Sequence, residues 1–63
     1  MGWADDISLE KYNALMQPGV LRREERQVLE LKREGLTDIE VGAELNYDRS
    51  TIKRRCRSIR NKL

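Results

Sequence analysis

The last fifteen residues, Arg49–Leu63, constrain this chain most, because they carry seven basic side chains and no acidic one while keeping an apolar stripe. At about 100° per residue, a helix would place four apolar side chains of this segment within one narrow arc. These are Ile52, Cys56, Ile59 and Leu63. The opposite arc carries Ser50, Lys53, Arg54, Arg57 and Asn61. One face therefore suits a small core, and the other presents the charges and hydrogen-bond donors that a DNA duplex binds.

The length of the chain and its charge distribution also favour a small binding domain. A chain of 63 residues forms one domain with a modest core and has no room for an enclosed active-site cleft. Its formal net charge of +2 is unevenly spread: residues 1–17 sum to −2, residues 18–48 to −3 and residues 49–63 to +7. The concentration of positive charge at one end indicates a polyanionic partner more strongly than the net charge does.

Several classes of protein are disfavoured by composition. The single cysteine permits neither an internal disulfide nor a cysteine zinc cluster, and histidine, the commonest general base, is absent. With no glycine loop for phosphates either, we expect no enzyme, no cofactor, no metal and no small-molecule substrate. No apolar run reaches the roughly 20 residues of a membrane span, and the acidic N-terminus does not resemble a signal peptide. We therefore expect a cytoplasmic, nucleoid-associated protein without membrane contact.

The N-terminal third predicts one short helix. Residues 5–16 have helical apolar spacing, with Asp5 or Asp6 as the N-cap, and the Pro18-Gly19 pair ends the helix. Leu9, Tyr12 and Met16 form an apolar face on this helix, and Trp3 lies just before it. We expect this face either to pack on the rest of the chain and enlarge its core, or to form a surface for a dimer or another protein.

Three further helices are predicted from capping signals. The second spans about 22–34, turns Leu21, Val28 and Leu31 inward and stops at Gly35. The third spans about 38–45, because Thr37 and Glu40 form a capping box. The fourth spans about 49–61 behind Asp48 as N-cap. The short link between the last two predicts a helix-turn-helix. The predicted fold is all-α, a small four-helix bundle with an accessory helix at 1–17 and a DNA-binding region at 18–63, in one globular unit.

Five sequence motifs occur in register over residues 21–63. They are L-x-x-x-E-R-x-V-L-x-L from Leu21, E-G-L-T at 34–37, E-V-G-A-E-L at 40–45, T-I-K at 51–53 and I-R-N-K-L at 59–63. Together they resemble the LuxR-type helix-turn-helix domain of bacterial regulators and region 4 of bacterial sigma factors. The resemblance implies a helix-turn-helix DNA-binding unit, and with the basic last helix we expect a stand-alone bacterial or phage transcriptional regulator that inserts helix 49–61 into the major groove. It also implies double-stranded DNA as a partner, with RNA polymerase or a second copy of the chain as further candidates.

The same motif geometry sorts the polar residues by role. Base contacts are expected from the first two turns of the last helix, at Arg49, Ser50, Lys53 and Arg54; the alternative is a solvated basic face. Phosphate contacts are expected from Thr37, Thr51, Arg55, Arg57 and Arg60, with capping alone as the alternative for Thr37.

Other residues have structural interpretations. We expect Gly42 to permit close approach of the third and fourth helices, Tyr47 to fill a buried turn position and Cys56 to act as a small core hydrophobe. Glu25 and Glu40 are expected to make helix-surface or capping interactions rather than to form a catalytic pair. The alternative function is a protein-interaction module that docks RNA polymerase or another regulator through the N-terminal helix.

Overall fold

Four helices make up the fold in the computed structural model, which describes residues 2–63. They are α1 (Leu9–Leu15), α2 (Arg23–Arg33), α3 (Asp38–Leu45) and α4 (Arg49–Arg60). Within residues 2–63 the chain forms no strand, which confirms the all-helical prediction. The helix α4 packs against both α2 and α3, and these two also contact each other. None of the helices in this range is both long and apolar enough to cross a membrane.

One hydrophobic core joins the N-terminal segment to the rest of the chain. Its centre consists of the largest fully buried side chains, Val28, Leu29, Val41, Ile52 and Ile59. Leu15 and Leu21 extend the core, and so do Ala4 and Ile7 from the segment before α1. The residues ahead of α2 therefore supply core area that a chain of this length needs. Leu31, predicted to point inward, is only half-buried against this core.

The predicted start of the first helix was wrong. Residues 3–6 form turns, and α1 begins at Leu9 behind Ser8, whose Oγ accepts a hydrogen bond from the Lys11 backbone N–H at 3.2 Å. This arrangement buries Ala4 and Ile7, which a continuous helix from Asp5 would have placed differently. Leu9 consequently faces solvent, with 66% of its surface exposed, although its spacing predicted an inward position. Tertiary packing overrode a local capping preference here.

Arg33 anchors the N-terminal segment to α2. Its Nη1 donates to the backbone carbonyls of Ala4 and Ile7, at 3.0 Å each. Its guanidinium carbon lies 4.4 Å from the centroid of the Tyr12 ring. One side chain thus satisfies two carbonyls that the turns leave without helical partners, and it stacks on α1 as well. Nothing in the local sequence around Arg33 predicted these contacts.

Replacing Arg33 with alanine should loosen this segment. Charge-assisted hydrogen bonds and a cation–π contact are lost together, so we expect the free energy of unfolding to fall by about 2 kcal/mol. Amide hydrogen exchange should quicken at Asp5 and Asp6, whose N–H groups bond to Gly2 and Trp3 in the turns. The control is Arg23→Ala, which removes the same charge from an exposed site on α2 and should change stability by less than about 0.5 kcal/mol. Equal effects of the two substitutions would contradict the anchoring role.

The predicted starts of α3 and α4 and the stop of α2 at Gly35 are confirmed, while α2 is one residue shorter at each end and α4 one residue shorter at its end than predicted. Thr37 Oγ1 accepts from the Glu40 N–H at 3.2 Å while Glu40 Oε1 accepts from the Thr37 N–H at 2.8 Å, which completes the capping box. Asp48 Oδ1 accepts from the Thr51 N–H at 2.9 Å and caps α4. Gly35 follows α2 with a φ of +96°, a left-handed conformation that glycine adopts without strain.

The turn between α3 and α4 presses against Gly42. A Cβ at this position would lie 2.6 Å from the backbone oxygen of Tyr47 and 3.6 Å from Cγ1 of Ile52. Close approach was predicted, but the nearest obstacle is the backbone of the turn rather than a side chain of α4. The Tyr47 side chain itself is 37% exposed, contrary to its predicted burial.

Candidate nucleic-acid interface

The helix α4 has one buried face and one basic face. Ile52 and Ile59 are completely buried and Cys56 is nearly so, as their spacing predicted. Leu63 departs from this pattern, since it lies beyond the end of α4 with 44% of its surface exposed. Burial raises the pKa of the Cys56 thiol, which favours the neutral form and agrees with a core role.

The four side chains predicted to contact bases lie together on the surface. Arg49, Ser50, Lys53 and Arg54 are all exposed in the first two turns of α4. Asp48, just before them, is the N-cap, and hydrogen bonding from Thr51 lowers its pKa, with a smaller contribution from the charge of Arg54. At this end of α4, Asp48 therefore caps the helix, while Arg49, Lys53 and Arg54 extend into solvent.

The residues predicted to contact phosphates are placed less uniformly. Arg57 and Arg60 are exposed on α4, and Thr37 is exposed at the start of α3 while it also caps that helix. Thr51 and Arg55 are half-buried, and Arg55 Nε is buried with no hydrogen-bond partner among residues 2–63. Arg57 and Arg60 are therefore the most accessible cations of this set.

The side chains proposed for a partner or dimer surface do not form one exposed patch. Trp3, Tyr12 and Met16 are half-buried and pack against the core, whereas Leu9 alone projects into solvent. Trp3 also contacts the basic helix, since the guanidinium carbon of Arg60 lies 5.7 Å from its ring centroid. The burial of Trp3, Tyr12 and Met16 supports packing within the chain for these three side chains, whereas Leu9 does not contribute to the core.

Glu25 holds the start of α2 to the end of α4. Its carboxylate is 3% exposed and accepts hydrogen bonds from the Arg22 N–H at 2.8 Å, from Lys62 Nζ at 3.2 Å and from the Ser58 hydroxyl. Burial acts to raise the pKa of Glu25, but the hydrogen bonds from Ser58, Arg22 and Lys62 outweigh it and lower the pKa below its ordinary 4.5. Lys62 is thereby paired internally, unlike the exposed cations of the basic face.

This network was not predicted in detail. The neighbours of Glu25 on α2 predicted a surface or structural pair. They did not predict its burial or its partners, Ser58 on α4 and Lys62 beyond it, 33 and 37 residues further along the chain. Glu40 meanwhile caps α3, and hydrogen bonds within that cap lower its pKa. The two carboxylates thus belong to separate helix starts. The capping role predicted for Glu40 is confirmed, whereas Glu25 is buried and not on the helix surface.

The described residues offer no grouping of histidine, cysteine, aspartate and glutamate side chains that would hold a metal ion. Comparisons with protein-family models, with curated proteins and with solved structures found no match to this chain.

Proposed function

We propose that this chain is a bacterial or phage DNA-binding domain that regulates transcription. In this proposal α3 and α4 form a helix-turn-helix related to the LuxR-type and sigma region 4 domains, and α4 enters the major groove. The observation that carries it is the division of α4 into a buried apolar face and an exposed face whose charged side chains are all basic.

The dimensions of α4 fit this role. Twelve residues at about 1.5 Å each make a helix roughly 18 Å long, and a helix about 10–12 Å across fits the major groove of B-DNA. Lys53 and Arg54 would then donate to guanine O6 and N7, and Arg49 and Ser50 would contact neighbouring base edges or phosphates. Thr37 at the start of α3 would meet a phosphate where that helix approaches the backbone.

The first test is the salt dependence of binding to a duplex selected from random sequences. If Arg55, Arg57 and Arg60 each neutralise a phosphate, the affinity should fall about 40-fold between 50 and 200 mM salt, measured by fluorescence anisotropy of labelled DNA. A binding constant that did not change with salt would overturn the proposal, since a basic face must release counterions from DNA when it binds.

A pair of substitutions then separates base reading from phosphate binding. Arg54→Ala should weaken binding to the selected duplex by roughly 5- to 150-fold, the equivalent of 1–3 kcal/mol, and leave binding to unrelated duplexes much less affected. Arg57→Ala removes the same side chain from the same helix, but should weaken both duplexes alike and reduce the salt slope by about one. Identical profiles for the two variants would remove the assignment of Arg54 to base contacts.

A further inference from the structure

We propose that the groove between Trp3 and α4, which is also lined by Lys32 of α2 and Asp38 of α3, holds the sugar–phosphate backbone of the DNA strand beside the α4 contact. This inference rests on the proposed function and extends it, since it adds Trp3 and Lys32 to the DNA-binding surface. Neither residue belongs to the helix that the charge pattern singled out.

The groove is open, basic and large enough for a strand. Its volume is about 730 Å³, and four cationic side chains line it against one carboxylate. The lining residues are Trp3, Lys32, Asp38, Lys53, Arg57, Arg60 and Asn61. Asp38 is paired with Lys32, whose Nζ lies 3.1 Å from Asp38 Oδ1. The remaining positive charge is thus unopposed by acids of the lining, and it complements a polyanion.

The groove is continuous with the proposed base-reading face. Lys53 belongs to both, and Arg57 lies one turn further along the same exposed side of α4. From Lys53 to Arg60 the helix rises about 10 Å, so the cations of the groove are spread along a path and not gathered at one point. A duplex seated on the first turns of α4 would therefore bring successive phosphates past these cations, toward Arg60 and Trp3.

The far wall of the groove is held in place. Ala4, next to Trp3, is buried, and Arg33 binds the carbonyls of Ala4 and Ile7. The Trp3 ring in turn lies against the Arg60 guanidinium. This contact restrains the long Arg60 side chain and leaves the guanidinium N–H groups available to bind an anion. The groove is therefore formed before any ligand arrives, and ordering it costs little on binding.

The experiment uses the single tryptophan of the chain as its reporter. The protein is titrated with a selected unlabelled duplex while Trp3 emission is followed, and the same duplex carrying a dye is followed by anisotropy. We expect Trp3 emission to change and to saturate at the same DNA concentration as the anisotropy. Anisotropy that saturates while Trp3 emission stays constant would overturn the groove assignment and leave the proposed function standing. Absence of saturable anisotropy would remove both.

A matched pair of lysine variants gives an independent readout. Lys32→Gln leaves Asp38 without its partner in the groove and lowers the net charge of the lining from +3 to +2, so we expect about 5- to 10-fold weaker binding near 0.1 M salt and a weaker salt dependence. Lys11→Gln makes the same change on α1, at an exposed lysine outside the groove, and should leave both quantities unchanged. Equal binding by the two variants, with helical content intact by circular dichroism, would contradict the proposal.

Discussion

Replacing Glu25 with alanine should lower the free energy of unfolding by about 3 kcal/mol, measured by urea denaturation. The substitution removes a buried carboxylate and leaves its two part-buried donors, the Ser58 hydroxyl and the Arg22 N–H, without their common acceptor, and hydrogen bonds to a charged group contribute roughly 1.5–3 kcal/mol. Lys62 adds less, because its side chain is 38% exposed and can turn to water. A domain of this size has a total stability of only about 3–5 kcal/mol, so the variant should be close to unfolded at 37 °C.

Glu30→Ala provides the control for this prediction. Glu30 lies on the exposed side of the same helix, and its loss should change stability by no more than about 0.5 kcal/mol. If the two alanine variants unfolded at the same urea concentration, Glu25 would have no special role in joining α2 to α4.

The same carboxylate should make the fold sensitive to acid. Folding lowers the pKa of Glu25 below its ordinary 4.5, so the unfolded chain binds this proton more tightly than the folded one. The stability that ionised Glu25 contributes is therefore complete above about pH 4.5 and is lost as the pH falls through the lower pKa of the folded state. Glu40 and Asp48 act in the same direction, because their pKa values are also lowered.

The Glu25→Gln variant separates the contribution of Glu25 to acid sensitivity from those of Glu40 and Asp48. The variant keeps Glu40 and Asp48 but cannot ionise at position 25, so its stability should approach that of the natural chain as the pH falls below 4.5. Urea denaturation at a series of pH values measures the difference. A constant difference between the two proteins from pH 7 to pH 3 would show that the charge of Glu25 contributes nothing.

Gly42→Ala should destabilise the protein by about 2–3 kcal/mol, even though alanine is the better helix former by about 1 kcal/mol. The new methyl group would meet the Tyr47 backbone oxygen at 2.6 Å, and that oxygen belongs to the turn that sets α4 against α3. Backbone cannot move aside as the end of a flexible side chain can. At roughly 4–8 °C per kcal/mol for small domains, the midpoint of thermal unfolding should fall by about 10–20 °C.

Ala43→Gly is the matched reverse change on the same helix. Ala43 is exposed, so this substitution reports helix propensity alone and should cost about 1 kcal/mol. If propensity also decided the outcome at position 42, Gly42→Ala would raise the melting midpoint by a similar amount. A rise would therefore contradict the close approach between the turn and α3.

Helix ends and the buried face of α4 were predictable because their determinants are short-range. A capping residue such as Thr37 or Asp48 bonds to an N–H three residues away, and the row from Ile52 to Ile59 follows from helical periodicity within one segment. The all-helical fold followed from these local signals. The start of α1 did not, because the burial of Ala4 and Ile7 outweighed the capping preference of Asp5 and Asp6.

The sequence by itself determined the four helices, the apolar row that turns α4 inward and the basic residues that this orientation leaves outside. Only the tertiary structure decided which distant groups meet: Arg33 with the Ala4 and Ile7 carbonyls, Glu25 with Ser58 and Lys62, and Trp3 with Arg60. The physical reason is separation along the chain. Periodicity and capping act within a turn or two of helix, whereas these contacts join residues 26 to 57 positions apart, and only the packing of the whole core brings them together.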